Sequence, residues 1–173
     1  MKTKKNKIKN NKTKKMIFKE IDYKSNDGML TSIWGPGMWH YLHSMSFNYP
    51  VNPSKEDKVN YMNFMKSLKN VLPCRKCREN LKNNYKKLPI TLDTMKNRRT
   101  FSEYVYNLHE LINKMLDKES GLSYEEVRER YEHFRSRCDK KVKTKDENGC
   151  VTPVYGEKAK CILKIVPAKE KCE

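Results

Sequence analysis

Between about residues 34 and 138, apolar side chains recur every three or four positions, and no other feature limits the fold as tightly. That period is helical; a half-buried strand would alternate at every second residue. Prolines and capping signals cut the run into five helices. Trp34, Met38, Leu42 and Met45 set the first, over about Trp34 to Asn48. Tyr49-Pro50 stops it, because proline disfavours helix in the residue before it. The second runs from about Ser54, a good N-cap, to Leu72, with Tyr61, Phe64, Met65 and Leu68 as its stripe and Pro73 as its breaker. The third spans about Cys74 to Lys87. The fourth opens at the capping box Thr100-x-x-Glu103 and carries Phe101, Tyr104, Val105, Leu108, Ile112 and Met115 before Gly121 closes that segment. The fifth opens at Ser123-x-x-Glu126, buries Tyr124, Val127, Tyr131 and Phe134, and ends near Cys138. No convincing sheet competes; only Cys161 to Val166 reads as a short strand. The class is all-α, a small helical bundle with one long connection, Leu88 to Arg99.

The 173 residues are 36% apolar and 34% charged, too polar for a core along the whole length. A packed unit of about 100–125 residues is expected. The division that follows is a basic arm over 1–29, a helical domain over 30–138 and a Cys-bearing extension over 139–173. No apolar run of about 18 residues exists, so a spanning helix is excluded. The start MKTKKNKIKNNKTKK has charge but no apolar stretch behind it, so no export signal is expected. Of the net charge of +17, residues 1–15 alone carry +8. Such an arm is a solubilising tail, a nuclear address, a tether to nucleic acid or an anchor to acidic surfaces. No nucleic-acid-binding signature accompanies it. Six cysteines without an export signal point to metal binding or redox chemistry rather than a secreted scaffold.

Three groups of residues carry chemistry. In Leu72-Pro73-Cys74-Arg75-Lys76-Cys77-Arg78, two cysteines start a helix, where free N–H groups and the dipole stabilise a thiolate. The basic neighbours push the same way. The alternative is half a zinc site, completed by His40 and His43 or by His109. A second C-x-x-C is absent. In Trp34 to His43, Trp39 and His43 share a helix face, where an aromatic and an imidazole can hold a flat polar ring system; a core Trp with a satisfied buried His is the plain alternative. His109 and Asn113 likewise share a face, at the edge of the Leu108/Ile112 stripe, and need partners there, either a ligand or a neighbouring carbonyl.

Taken in order, the chain reads W-G-P-x-x-W-x-x-x-H-x-x-x-x-x-Y-P, then P-C-x-x-C, then H-x-x-x-N-x-x-x-x-K. This resembles the Erv/ALR family of FAD-linked sulfhydryl oxidases over about residues 33–138. The resemblance implies a four-helix bundle with a short fifth helix, cradling FAD. It implies that Trp34, Trp39, His43 and Tyr49 line the flavin site from the first helix. His109, Asn113 and Lys118 would bind the adenosine side, and Tyr131 and Phe134 stand where the family has Trp. Cys74–Cys77 would be the redox disulfide, with Cys77 nearest the flavin. Two positions depart from the family. Glu110 stands where Asn commonly follows the His, and no Cys lies near Leu122 or Ser123 to pair with Cys138. The ending Tyr131 to Cys138, the basic arm and the Cys-bearing tail resemble the versions of large cytoplasmic DNA viruses.

The implied reaction takes two thiols and O2 to a disulfide and H2O2. A substrate thiolate attacks Cys74, Cys77 leaves, and electrons pass to FAD and then to O2. Cys138, Cys150, Cys161 and Cys172 are candidates for a second, shuttle disulfide or for a structural staple, and four cysteines allow three connectivities. The implied partners are protein thiols, met directly or through a thioredoxin-like carrier, and a second copy packed through the first helices. The expected compartment is the cytoplasm, or a viral assembly site or virion for a viral chain.

Overall fold

The computed structural model describes residues 17–137, 150 and 152–154. Among them are α1 (Glu20–Tyr23), α2 (Thr31–Phe47), α3 (Lys55–Val71), α4 (Arg75–Lys87), α5 (Arg98–Met115), α6 (Tyr124–Glu132) and two short strands, β1 (Ser136–Arg137) and β2 (Thr152–Pro153). Helix α2 packs chiefly on α5 and α3 on α4; α6 lies against α2, and α4 also touches α5. The result is a four-helix bundle of α2 to α5 with α6 as a short fifth helix, as expected. No described helix is long and apolar enough to cross a membrane.

The caps explain most of the helix starts. Ser54 accepts from the Asp57 N–H at 3.0 Å while the Asp57 carboxylate takes the Ser54 N–H, which closes a capping box on α3. Ser123 and Glu126 do the same on α6. Helix α4 starts at Cys74, its cap, as expected, whereas two other starts differ. Helix α5 opens three residues early, because Asn97 rather than Thr100 is the cap: Asn97 accepts from the Thr100 N–H at 3.0 Å and Thr100 returns the bond. Helix α2 opens at Thr31 and runs through Pro36. The bond that Pro36 cannot make would lie between Ser32 and Pro36, both exposed, so the spare carbonyl is open to solvent.

The ends of α5 and α6 also differ. Helix α5 stops at Met115 rather than near Gly121. Asp117 adopts a left-handed φ of 52°, the Lys118 N–H reaches back to the Asn113 carbonyl at 2.9 Å, and the Asp117 N–H reaches Lys114 at 3.3 Å. This is a Schellman ending with Asp in place of Gly. Gly121, at φ 65°, makes the following turn. Helix α6 stops at Glu132, short of Cys138, because the chain then extends into β1. There Ser136 pairs with Pro153 and Arg137 with Thr152, and the Val154 N–H bonds the Arg135 carbonyl at 3.0 Å. The extension after the helices is therefore tied back by a small antiparallel ladder that its composition did not announce. The expected strand at Cys161 to Val166 lies outside the described residues.

The core gathers Leu42, Met65, Leu68, Leu81, Phe101, Val105 and Leu108 from four helices. Each such burial contributes about 1.5–3 kcal/mol before entropy is charged against it. The long connection from α4 to α5 joins this core instead of hanging from it. Its Met95 is fully buried, and three hydroxyls hold its backbone: Tyr49 to Met95 at 3.0 Å, Tyr104 to Leu88 at 2.9 Å and Thr100 to Thr94 at 3.1 Å.

Candidate functional site

Pro73 ends α3 and delivers Cys74 as the N-cap of α4, so the C-x-x-C lies across a helix start. Cys74 and Cys77 are disulfide-bonded, with Cα atoms 5.2 Å apart. The Cys77 N–H donates to the Cys74 Sγ at 3.2 Å, placing that sulfur in the position of a capping oxygen. Both cysteines are half-buried. Of the basic neighbours, Arg78 donates to the Leu72 carbonyl and Arg75 meets Glu79 at 4.0 Å on the exposed side.

A segment from outside the motif crosses it. The Met29 N–H donates to the Pro73 carbonyl at 2.8 Å. Gly28 lies so close that a Cβ there would fall 3.0 Å from the Pro73 oxygen and 3.2 Å from the Cys74 Cα. Trp34 Nε1 donates to the Met29 carbonyl at 3.2 Å, and Thr31 Oγ1 sits 3.6 Å from the Cys77 Sγ.

The second centre lies farther along α2. Trp39 stacks on His109 of α5, centroids 3.9 Å apart and planes within 7°. His43 Nε2 meets His109 Nδ1 at 3.0 Å. The His43 ring also lies 5.3 Å from Tyr131 of α6, and Tyr131 stacks on Phe47 at 5.3 Å. His40 Nδ1 meets the Tyr131 hydroxyl at 3.1 Å, and Phe134 packs edge-on to His40. Arg135 fastens α6 to α2 by donating to the Phe47 carbonyl at 2.9 Å while pairing with Glu132, which holds the Glu132 carboxyl below its usual range.

His43 is 4% exposed. Burial first, then the charges of His109 and His40, lower its pKa to about 4. Burial lowers His109 as well, against an opposing pull from Glu110. Both rings are therefore neutral near pH 7, and one donates to the other. Whichever donates, His43 Nδ1 is buried with no partner, a cost of about 1–3 kcal/mol. Flat aromatic faces beside an unsatisfied polar edge suit a planar heteroaromatic group that can hydrogen-bond in its own plane. The residues present therefore fit a flavin.

The sequence-predicted residues divide between these places. Trp39, His43, His109, Tyr131 and Phe134 come together. Asn113 is one turn beyond His109, its amide donating to Glu110 at 3.1 Å, so the departure at Glu110 supplies a partner for Asn113. Lys118 is exposed, held by its backbone to Asn113. Trp34 stands with the crossing segment. Tyr49 is sealed in the core against Tyr61 and Phe101. Cys150 is disulfide-bonded; Cys138, Cys161 and Cys172 lie outside the described residues. The zinc alternative fails. Its two sulfurs are joined to each other, His40 and His43 are turned to Tyr131 and His109, and no three metal-ligating side chains gather among the described residues. Sequence reasoning missed Phe47, although Trp39, His43 and Phe47 are evenly spaced four apart. It used His40 only for zinc. It missed Gly28 and Thr31 altogether, since neither belongs to a motif.

Comparison with known proteins agrees with this arrangement. The sequence model of the Erv1 / Alr family matches residues 36–147. The chain is 34% identical over 99 residues to the probable FAD-linked sulfhydryl oxidase R368 of Acanthamoeba polyphaga mimivirus, covering 57% of this chain and 68% of that protein. It is 26% identical over 84 residues to the FAD-linked sulfhydryl oxidase ERV1 of Arabidopsis thaliana, covering 49% and 42%. Its fold matches the crystal structure of the yeast Erv1 core at a TM-score of 0.55 and 17% identity, over 70% of this chain and 95% of that one. The FAD-binding domain of Erv1 from Saccharomyces cerevisiae matches at 0.54 and 20%, over 60% and 94%.

Proposed function

The chain belongs to the Erv1/Alr family, and from that premise we propose as its activity the FAD-dependent oxidation of protein dithiols to disulfides. It is a thiol oxidase: two electrons leave a pair of thiols, which join, and end on O2 as H2O2. The observation that carries this reading is the Cys74–Cys77 disulfide at the start of α4. Helix α2 runs from beside that disulfide, at Thr31, to the aromatic and imidazole cluster at Trp39 and His43. At 1.5 Å per residue, Thr31 and Trp39 are about 12 Å apart along the helix axis.

In the proposed sequence a substrate thiolate attacks the Cys74 Sγ. The Cys74–Cys77 bond breaks and Cys77 leaves as a thiolate. A second substrate thiolate then displaces Cys74 from the mixed disulfide, so the substrate is oxidised and the enzyme pair reduced. The chemistry that FAD would supply, when bound, is acceptance of those two electrons and their passage to O2. Trp39 and His109 would offer faces to its ring and His43 Nδ1 an edge. Asn113, Lys118, Tyr131 and Phe134 would serve the rest of the cofactor, and Trp34 and Tyr49 join the proposal on resemblance alone. His43 and His109, both neutral near pH 7, would bring no imidazolium charge to the ring.

The proposal extends to organisation and partners. Residues 30–138 are the oxidase domain, flanked by the basic arm and the Cys-bearing extension. A second copy packs through α2, whose Ile33 and Tyr41 are exposed. The thiols come from folding proteins or a thioredoxin-like carrier, in the cytoplasm or a viral assembly site. The test is an absorption spectrum of the purified, desalted protein. An oxidised-flavin spectrum that bleaches with dithiothreitol under nitrogen and returns in air is expected; a colourless folded protein overturns the reading.

A further inference from the structure

The amide donors of the α4 N-terminus serve only one of the two sulfurs. Cys74, as the cap, receives the Cys77 N–H at 3.2 Å. Cys77 is inside the first turn, so a donor for its sulfur must come from another element. Thr31 is that donor. Its hydroxyl lies 3.6 Å from the Cys77 Sγ, and because a disulfide sulfur carries no hydrogen, the hydroxyl is the donating group. Three further contacts aim it. Gly28 permits main-chain approach to Pro73 and Cys74, the Met29 N–H clamps the Pro73 carbonyl, and the Trp34 indole holds the Met29 carbonyl from the other side. The Thr31 methyl faces Gly35, whose missing Cβ would sit 3.4 Å from it.

We propose that Thr31 is a catalytic residue of the disulfide exchange, donating to the Cys77 sulfur as it becomes the leaving thiolate. The inference rests on Cys74–Cys77 being the redox pair. When a substrate thiolate attacks the Cys74 Sγ, a new S–S bond forms there. The Cys74–Cys77 bond breaks, and its electron pair stays on Cys77. A hydrogen bond to a charged acceptor is stronger than one to a neutral acceptor, so the Thr31 contact strengthens as charge arrives. A leaving thiol of lower pKa leaves faster. The Thr31 contact thus assists departure of Cys77, as the Cys77 N–H and the start of α4 assist that of Cys74.

The test reads Cys77 directly. In the full chain with Cys74→Ser, the rate at which iodoacetamide alkylates Cys77 is followed against pH, resolved by peptide mass spectrometry. Adding Thr31→Val, which keeps the shape and methyl, is expected to raise the apparent Cys77 pKa and slow alkylation at neutral pH about threefold. Thr31→Ser, which keeps the hydroxyl, is expected to restore the profile. In the chain with both cysteines, Thr31→Val is expected to lower kcat/KM for a dithiol by a similar factor. The inference is overturned if the Thr31→Val profile superimposes on the parent. It is also overturned if Thr31→Ser behaves as Thr31→Val, since packing and not the hydroxyl would then be responsible. The alkylation profile needs neither flavin nor turnover, so a colourless, inactive protein would refute the oxidase reading and leave this measurement readable.

Discussion

Helix α2 has two working regions of opposite character. At its start, Thr31 is exposed and meets a half-buried disulfide beside Arg75, Lys76 and Arg78. At its middle, Trp39 and His43 meet His109 and Tyr131 in a part-buried cluster where the imidazoles are neutral. The first region, proposed to receive a protein thiol, is a disulfide written within a few residues of chain and crossed by a segment from far away in sequence, Gly28 to Thr31. The second, proposed to hold the flat ring system of the cofactor, draws side chains from three helices. On the proposed function one helix joins an entry point to a shielded site, and the two are expected to be separable by mutation.

The largest expected effect tests that separation. Cys74→Ser or Cys77→Ser removes the electron entry and is expected to lower dithiol-dependent oxygen consumption at least about 100-fold. The flavin absorption should remain. A variant that lost both together would show that the two regions are not independent. The reverse experiment is Trp39→Ala. Losing a large aromatic that stacks on His109 and borders the core is expected to destabilise the fold by roughly 3 kcal/mol, seen in a denaturant midpoint. Flavin should be lost on desalting, while Cys74 and Cys77 still exchange with a dithiol.

Acid should also distinguish the regions. His43 has its folded pKa near 4 against an ordinary 6.5. Below pH 6.5 the unfolded chain binds a proton at this site that the folded chain refuses, so stability falls with pH from there down to about 4. The full loss is roughly 3 kcal/mol on this shift. Asp57, Glu126 and Glu132, whose folded pKa values are lowered, add their own losses, but only nearer the carboxylate range. His43→Phe should therefore lessen the fall of thermal stability between pH 6.5 and 5, leaving the share that His109, also lowered by burial, contributes, and leave the steeper acid limb. An unchanged slope in that window would mean that His43 is not the neutral, shielded group described.

The same contrast explains what was legible in the sequence. The entry point is contiguous: Pro73, Cys74 and Cys77 state a helix break, a cap and a redox pair within five residues. The shielded site is a meeting of α2, α5 and α6, and periodicity gives each face without saying which faces meet. It became readable only as an ordered set of motifs matching a family. Helix starts written by Ser54 and Ser123 were found, whereas α5 shifted because Asn97 and Thr100 form a capping box of their own just upstream. The ladder of β1 and β2 is two residues long in each strand, below any alternation that could announce it. Gly28 and Thr31 act through main-chain approach and one hydroxyl, and a single unaligned sequence holds no pattern for either.

The smallest effect probes how α6 serves the shielded site. This helix has nine residues, buries Val127 and ends in the Arg135 tie to Phe47. An isolated helix of that length is marginal, so its persistence depends on packing and on its cap. Ser123 is exposed and remote from the disulfide in sequence, and its role is the bond from the Glu126 N–H. Ser123→Ala is expected to cost about 1 kcal/mol, a shift of about 4 °C in a melt of the whole domain. The helix carries Tyr131, which packs on His40, His43 and Phe47, so fraying it should loosen one wall of the cluster. The flavin off-rate should then rise about fivefold at most, by the factor that 1 kcal/mol allows. Thiol alkylation at Cys77 should not change, since no α6 residue touches that sulfur among the described contacts. If Cys77 reactivity moved with the cap instead, α6 would be coupled to both ends of α2, and the division between entry point and shielded site would have to be redrawn as a single unit.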